Sequence, residues 1–166
     1  IGGIEASLRR ISHYDYWDDR VLPSVLVPSG ADLLVYGQGE KPIVEIARRL
    51  AAGEDVSGLT DVPGTAVLLP DLAIADLGSR PRKTLELPSH EDVARDKKVF
   101  AEFSRLYHLE HNGDNARILV QAVGRGAQKR YVVVNEPMAA PTTEELDRIA
   151  ELPYVRDPHP IYGGAH

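Results

Sequence analysis

Leu33-Leu34-Val35-Tyr36, followed at once by Gly37-Gln38-Gly39-Glu40, is the stretch that decides the fold. A short apolar run rich in branched side chains reads as a buried strand, predicted over 32–36. Gly-x-Gly-Glu directly behind it reads as a sharp turn into a helix. Pro42 suits a first helical turn, because its missing N–H would be unpaired there anyway. Ile43, Ile46, Ala47 and Leu50 then recur at spacings of three and four until Gly53, so helix is predicted over 42–52. Upstream, Gly2-Gly3 precedes a second amphipathic stretch with Ala6, Leu8 and Ile11, predicted as a short helix from Glu5 to about Tyr14 with Ser7 as its cap. Two consecutive strand-to-helix turns indicate an open α/β sheet, in which such turns gather at the edge where ligands sit.

Further along, Val21 to Val27 is interrupted by Pro23 and predicts a short helix or loop. Thr65 to Leu69 reads as a strand. From Pro70 to Pro88 the pattern weakens into a connector containing Gly78, Arg80, Pro81, Arg82 and Lys83. Ser89, with Asp92 three positions on, caps a long helix whose apolar stripe is Val93, Phe100, Phe103, Leu106 and Tyr107, ended by Asn112-Gly113. Arg117 to Val123 and Lys129 to Asn135 form a hairpin around Gly124-Arg125-Gly126. Thr142 with Glu145 is a full capping box opening a short helix that carries Leu146, Ile149 and Leu152. The stretch from Pro153 through His159-Pro160-Ile161-Tyr162 is proline-broken and extended.

Composition narrows the function classes. Apolar residues at 43% and charged residues at 27% of 166 indicate a folded domain. The chain holds no cysteine, which excludes disulfides, thiolate metal sites and a cysteine nucleophile. No apolar run has membrane-helix length and no signal-peptide pattern opens the chain, so a cytoplasmic location is expected. The net charge of −6 argues against general nucleic-acid binding. The charge is uneven, however: residues 80–130 carry +4 between flanks of −6 and −4.

Several groups could carry chemistry. Glycines at 37 and 39 let a backbone approach a ligand at the head of a helix, or simply turn the chain; Glu40 would repel a phosphate, which excludes a dinucleotide loop. Gly2, Gly3 and Glu5 form the companion turn. Arg9 and Arg10 could grip an anion or decorate an exposed helix face. His13-Tyr14-Asp15-Tyr16-Trp17 offers stacking or interface aromatics, or packing residues. His108 and His111 make one face of a possible metal site that nothing nearby completes. No Gly-x-Ser-x-Gly, P-loop or His-Glu-x-x-His motif occurs.

The wording of the chain resembles one family, the YgiQ-type radical SAM proteins. The likeness runs in order through Gly2-Gly3-Ile4-Glu5-Ala6-Ser7-Leu8-Arg9-Arg10, His13-Tyr14-Asp15-Tyr16-Trp17, Ser24-Val25-Leu26-Val27 and Ala31 to Gly37. It continues through Asn135-Glu136-Pro137, where the family usually has Asn-Pro-Pro, then Thr143 to Asp147 and Pro158 to Gly163. The resemblance implies a parent protein whose [4Fe-4S] cluster, held by Cys-x3-Cys-x2-Cys, cleaves S-adenosylmethionine reductively. A chain without cysteine is then expected to be a non-catalytic N-terminal portion lying upstream of that radical SAM barrel, its natural partner, and covering or shaping access to it.

The resemblance also implies a partial flavodoxin-like (Rossmann-like) parallel sheet with helices. Residues 1–75 would be the C-terminal part of that domain, 76–88 a connector, and 89–166 an α+β segment of a helix, a β-hairpin and a short helix leading to the barrel. Two readings of other classes stand beside it. One is a flavodoxin-like module binding cobalamin or a nucleotide through Gly2, Gly3, Glu5, Gly37, Gly39 and Glu40. The other is a protein or RNA contact surface formed by the basic middle and the His13–Trp17 cluster.

Overall fold

The computed structural model describes residues 1–155, 157 and 161; of the stretch from Pro158 to Gly163, all but Ile161 lies outside the described residues. At the centre stands the expected hairpin, β6 (Ile118–Val123) and β7 (Arg130–Val134), with Leu119 opposite Val134. β4 (Thr65–Leu69) joins the other side of β7, Val67 facing Val133. These three strands are covered on both faces, so side chains of period two divide between two cores. Ala66, Leu119, Val132 and Val134 enter the first, whereas Val67, Ile118, Val120 and Val133 enter the second.

The first core is closed by α1 (Gly3–Leu8), α2 (Leu26–Ser29), α4 (His90–Arg95) and α5 (Lys97–His108), which contribute Ala6, Leu26, Val93 and Phe103. Over the second lie Leu33 and the single turns at 72–75 and 77–79, with Ala75 buried.

The α/β class holds. The strand order is β3-β4-β7-β6-β5, with β3 at Leu34–Val35 and β5 at Thr84–Leu87. Strand direction differs from an all-parallel sheet: β5 runs parallel to β6, and the other three pairings are antiparallel. A tight hairpin can join only antiparallel strands, and here it occupies the middle of the sheet. On the outer edge of β3, Ile1 N donates to Leu33 O at 2.8 Å and Val35 N donates to Ile1 O at 2.9 Å, which is a parallel bridge. The sheet takes strands from both sides of residues 76–88.

Several local expectations are corrected. The first helix begins at Gly3, with Gly2 rather than Ser7 at its cap, and ends at Leu8 instead of continuing to Tyr14. Arg9 O leaves the helical ladder to accept from Val25 N at 2.8 Å. His13–Asp15 is strand β1, paired with β2 (Arg20–Leu22) in a small separate hairpin, and α2 starts at the end of the Val21–Val27 run and extends past it to Ser29. The connector contains β5, whose Thr84 and Glu86 are exposed while Leu87 is buried. The helix after Ser89 is two helices. Asp96 (φ −128°, ψ 118°) leaves the helix and its carboxylate caps the next one, accepting from Lys98 N at 2.8 Å. α3 spans Glu40–Ala51, and α6 (Thr143–Ala150) carries both bonds of the capping box, Glu145 N to Thr142 Oγ1 at 3.2 Å and Thr142 N to Glu145 Oε2 at 2.8 Å.

Candidate functional site

The two glycine turns do meet. Gly2, Gly3, Gly37 and Gly39 line one open cleft of about 690 Å³ beside the edge strand β3, together with Ile1, Asp32, Leu33, Ile43, Ile46 and Val56. Ser7 ties the turns: its Oγ donates to Gly3 O at 2.8 Å and accepts from Gly37 N at 3.3 Å. Gly3 (φ +89°) and Gly37 (φ +69°) hold left-handed backbone, so the bends themselves call for glycine. Asp32 is the one lining residue with an ionisable side chain, and no side chain of that set neutralises a phosphate.

The two glutamates of the candidate set lie elsewhere. Glu5 pairs with Arg9 Nε at 2.6 Å and borders a second cleft, of about 460 Å³, formed with Leu8, His13, Tyr14, Tyr16 and Trp17. The Tyr16 and Trp17 rings lie 4.8 Å apart, tilted by 34°, and the residues are 68% and 78% exposed. Below them Asp15 accepts from Trp17 N and Asp18 N, both at 3.0 Å. The Asp18 N–H, helped by Trp17 N–H and Arg9 against the pull of burial, holds the Asp15 carboxyl below the usual range. Glu40 stands at the head of α3, facing α6 across a third cleft.

The arginine pair divides. Arg9 serves Glu5 and Asp15. Arg10 is 8% exposed, with its guanidinium 4.3 Å from the Tyr36 ring centroid and 5.0 Å from that of Tyr107, and it donates to Ser7 O. Cation–π attraction of this desolvated kind contributes about 2 kcal/mol, so Arg10 holds α1 to the core. In the basic middle five arginines are engaged: Arg80 and Arg82 donate to carbonyls, and Arg95, Arg105 and Arg117 pair with Asp92, Glu102 and Glu110. His111 Nδ1 lies 2.8 Å from His108 O, and among the described residues no three metal-capable side chains converge.

Sequence reading passed over two polar centres. Arg80 Nη1 donates to Asn135 Oδ1 at 2.5 Å, while Asn135 Nδ2 donates to Thr60 O at 3.1 Å and Thr65 Oγ1 at 2.9 Å. The other centre joins Ser12, His90 and Gln121. Ser12 N and Oγ both donate to Gln121 Oε1, at 3.1 and 2.9 Å, which leaves His90 Nδ1, 3.0 Å from Ser12 Oγ, as the donor to Ser12.

Burial pushes the His90 pKa below the usual histidine value; Glu91 opposes this and His13 adds to it. The unfolded chain therefore takes up this proton more readily than the folded one. The resulting stability is complete above the ordinary histidine range and is lost as pH falls through it. His90→Asn keeps a donor without the titration. Between about pH 7.5 and 5.5, its urea midpoint is expected to fall less than that of the parent chain; equal slopes would contradict this assignment.

A family model described as Radical SAM N-terminal matches residues 1–166. The chain is similar to a UPF0313 protein of Rhodopseudomonas palustris, 46% identical over 99% of the chain and 26% of the relative. It is similar to another of Clostridium perfringens, 47% identical over 98% and 23% respectively. A third, of Chromobacterium violaceum, is 37% identical over 100% and 29%. The chain thus spans about a quarter of the length of the curated relatives it matches. No solved structure matches. Among the described residues no helix is long and apolar enough to cross a membrane.

Proposed function

From the premise that this chain belongs to the radical SAM N-terminal family, the N-terminal region of UPF0313 (YgiQ-type) proteins, we propose that it is the non-catalytic part of a radical SAM protein and covers or shapes access to the barrel carried elsewhere in the polypeptide. The family implies a [4Fe-4S] cluster and S-adenosylmethionine for the parent. Such clusters are held by cysteine thiolates, and this chain has none, so its own residues do not fit the group. The observation that carries the reading is this pairing of a family match over residues 1–166 with a complete lack of thiolate ligands.

What the chain does supply is a scaffold. Its Arg80–Asn135 and Ser12–Gln121 centres bond within themselves, and its clefts are open to solvent, which suits a covering part better than a reaction chamber. The test is iron and acid-labile sulfide after anaerobic reconstitution. The intact parent is expected to hold a cluster with its visible absorption, and residues 1–166 alone to hold none. A parent without the absorption, or a fragment with it, would overturn the proposal.

A further inference from the structure

Two amphipathic helices take no part in either core. No residue of α3 or α6 belongs to the two buried clusters, and α6 has no buried residue at all. Most helical stability in proteins comes from packing an apolar face, and an isolated eight-residue helix is marginal in water. A part-exposed ion pair joins α6 to α3. Glu145 closes the capping box and also meets Lys41 Nζ of α3 at 2.7 Å. Between the two helices lies an open cleft of about 740 Å³, lined by Val44, Met138, Ile149, Leu152 and Tyr154. Val44 is 68% exposed, Leu152 52% and Tyr154 54%. Charges of both signs, Glu40, Glu45 and Arg148, border it.

We infer that this α3/α6 cleft is the seat of the downstream part of the same polypeptide, which lays an apolar ridge flanked by mixed charges between Val44 and Leu152; this rests on the reading of the chain as an N-terminal cover. The occupant follows from the length of the relatives, whose polypeptide is about four times that matched here and whose matched region is N-terminal by its family description. Leu152 and Tyr154 lie at the rim and lead in sequence toward that downstream part. Attachment in the same chain raises the effective concentration of such a ridge to the millimolar range, enough to fill a cleft of modest intrinsic affinity. The other two clefts lack this combination: one lies against a sheet edge and the other beneath an aromatic hairpin.

The test uses the intact parent. Amide hydrogen exchange along α6 is expected to be slowed by about a hundredfold or more relative to unprotected peptide, a degree that only packing against further structure supplies. Val44→Asp with Leu152→Asp should remove at least about tenfold of that protection while the strands of the central hairpin keep theirs. As a readout independent of the variant's folding, a photo-crosslinking residue at position 152 of the otherwise unchanged parent is expected to join to the downstream region of the same molecule. Unprotected α6 amides, crosslinks only between two copies, or no crosslink would each overturn the inference. Iron content measured on the same sample separates the two readings: a cluster-bearing parent with an open cleft removes this one alone, and a clusterless parent with a filled cleft removes only the proposed function.

Discussion

Replacing Asn135 by Ala is expected to lower the unfolding free energy by about 3 kcal/mol, because a hydrogen bond to a charged group and the pairing of buried neighbours are lost together. Asn135 is 1% exposed at the end of β7. Its amide accepts from the Arg80 guanidinium and donates to Thr60 O and Thr65 Oγ1. Arg80 is itself partly buried, and burial pulls its pKa down. It donates to Asn135 Oδ1 and to the Thr60 carbonyl and hydroxyl, none of them a carboxylate. Removing the amide leaves part of a desolvated cation unpaired, which costs more than the bond contributed.

The backbone around the position does not depend on the side chain, since Asn135 N still donates to Thr65 O at 2.9 Å and Tyr36 Oη to Asn135 O at 2.5 Å. The loss should therefore appear as a lower urea midpoint with an unchanged m-value. Asn135→Asp should recover part of it by offering Arg80 a charge. A loss for Asn135→Ala below about 1 kcal/mol would mean that water replaces the amide and that the network is not closed.

Gly124→Ala is expected to destabilise by about 4 kcal/mol, the sum of left-handed strain and an unrelieved clash. Gly124 begins the loop of the central hairpin with φ +81°, and a Cβ there would stand 2.5 Å from the backbone oxygen of Gln128. The obstructing atom is main chain, so no side-chain rotation relieves it. Gly126, two residues on in the same loop, is the control. It also has positive φ, +54°, but nothing lies within 4 Å of its Cβ position, so Gly126→Ala should cost about 1 kcal/mol. Thermal unfolding of the two variants, in which each kcal/mol shifts the midpoint by about 2–4 °C at this chain length, distinguishes them. Equal shifts would show that strain alone acts and that the loop yields at Gln128.

The candidate site was legible in halves. That Gly2-Gly3 and Gly37-x-Gly39 mark strand-to-helix turns follows from local patterning, and the turns meet because both flank the edge at β3. Glu5 and Glu40 were grouped with them by sequence adjacency alone. A helical side chain leaves the turn at an angle fixed by the helix, and the two carboxylates face other clefts. The Arg80–Asn135 contact spans 55 residues and Ser12–Gln121 spans 109, with no spacing rule to announce either. Trp17, by contrast, was visible as the single tryptophan of an aromatic cluster, though not its exposure.

What the sequence by itself determined is whatever a single element decides for itself: the period of α3 behind Pro42, the Thr142–Glu145 capping box of α6, the branched runs of β6 and β7, and the lack of cysteine that leaves this chain without thiolate ligands. Only the tertiary structure decided the direction and neighbour of each strand, the inclusion of β5, the burial of Arg10 between two tyrosines, and the exclusion of α3 and α6 from both cores. The physical reason is the range of the forces involved. Capping, turn strain and helical period act within a few residues, whereas strand pairing and desolvation depend on which distant surface the chain happens to cover.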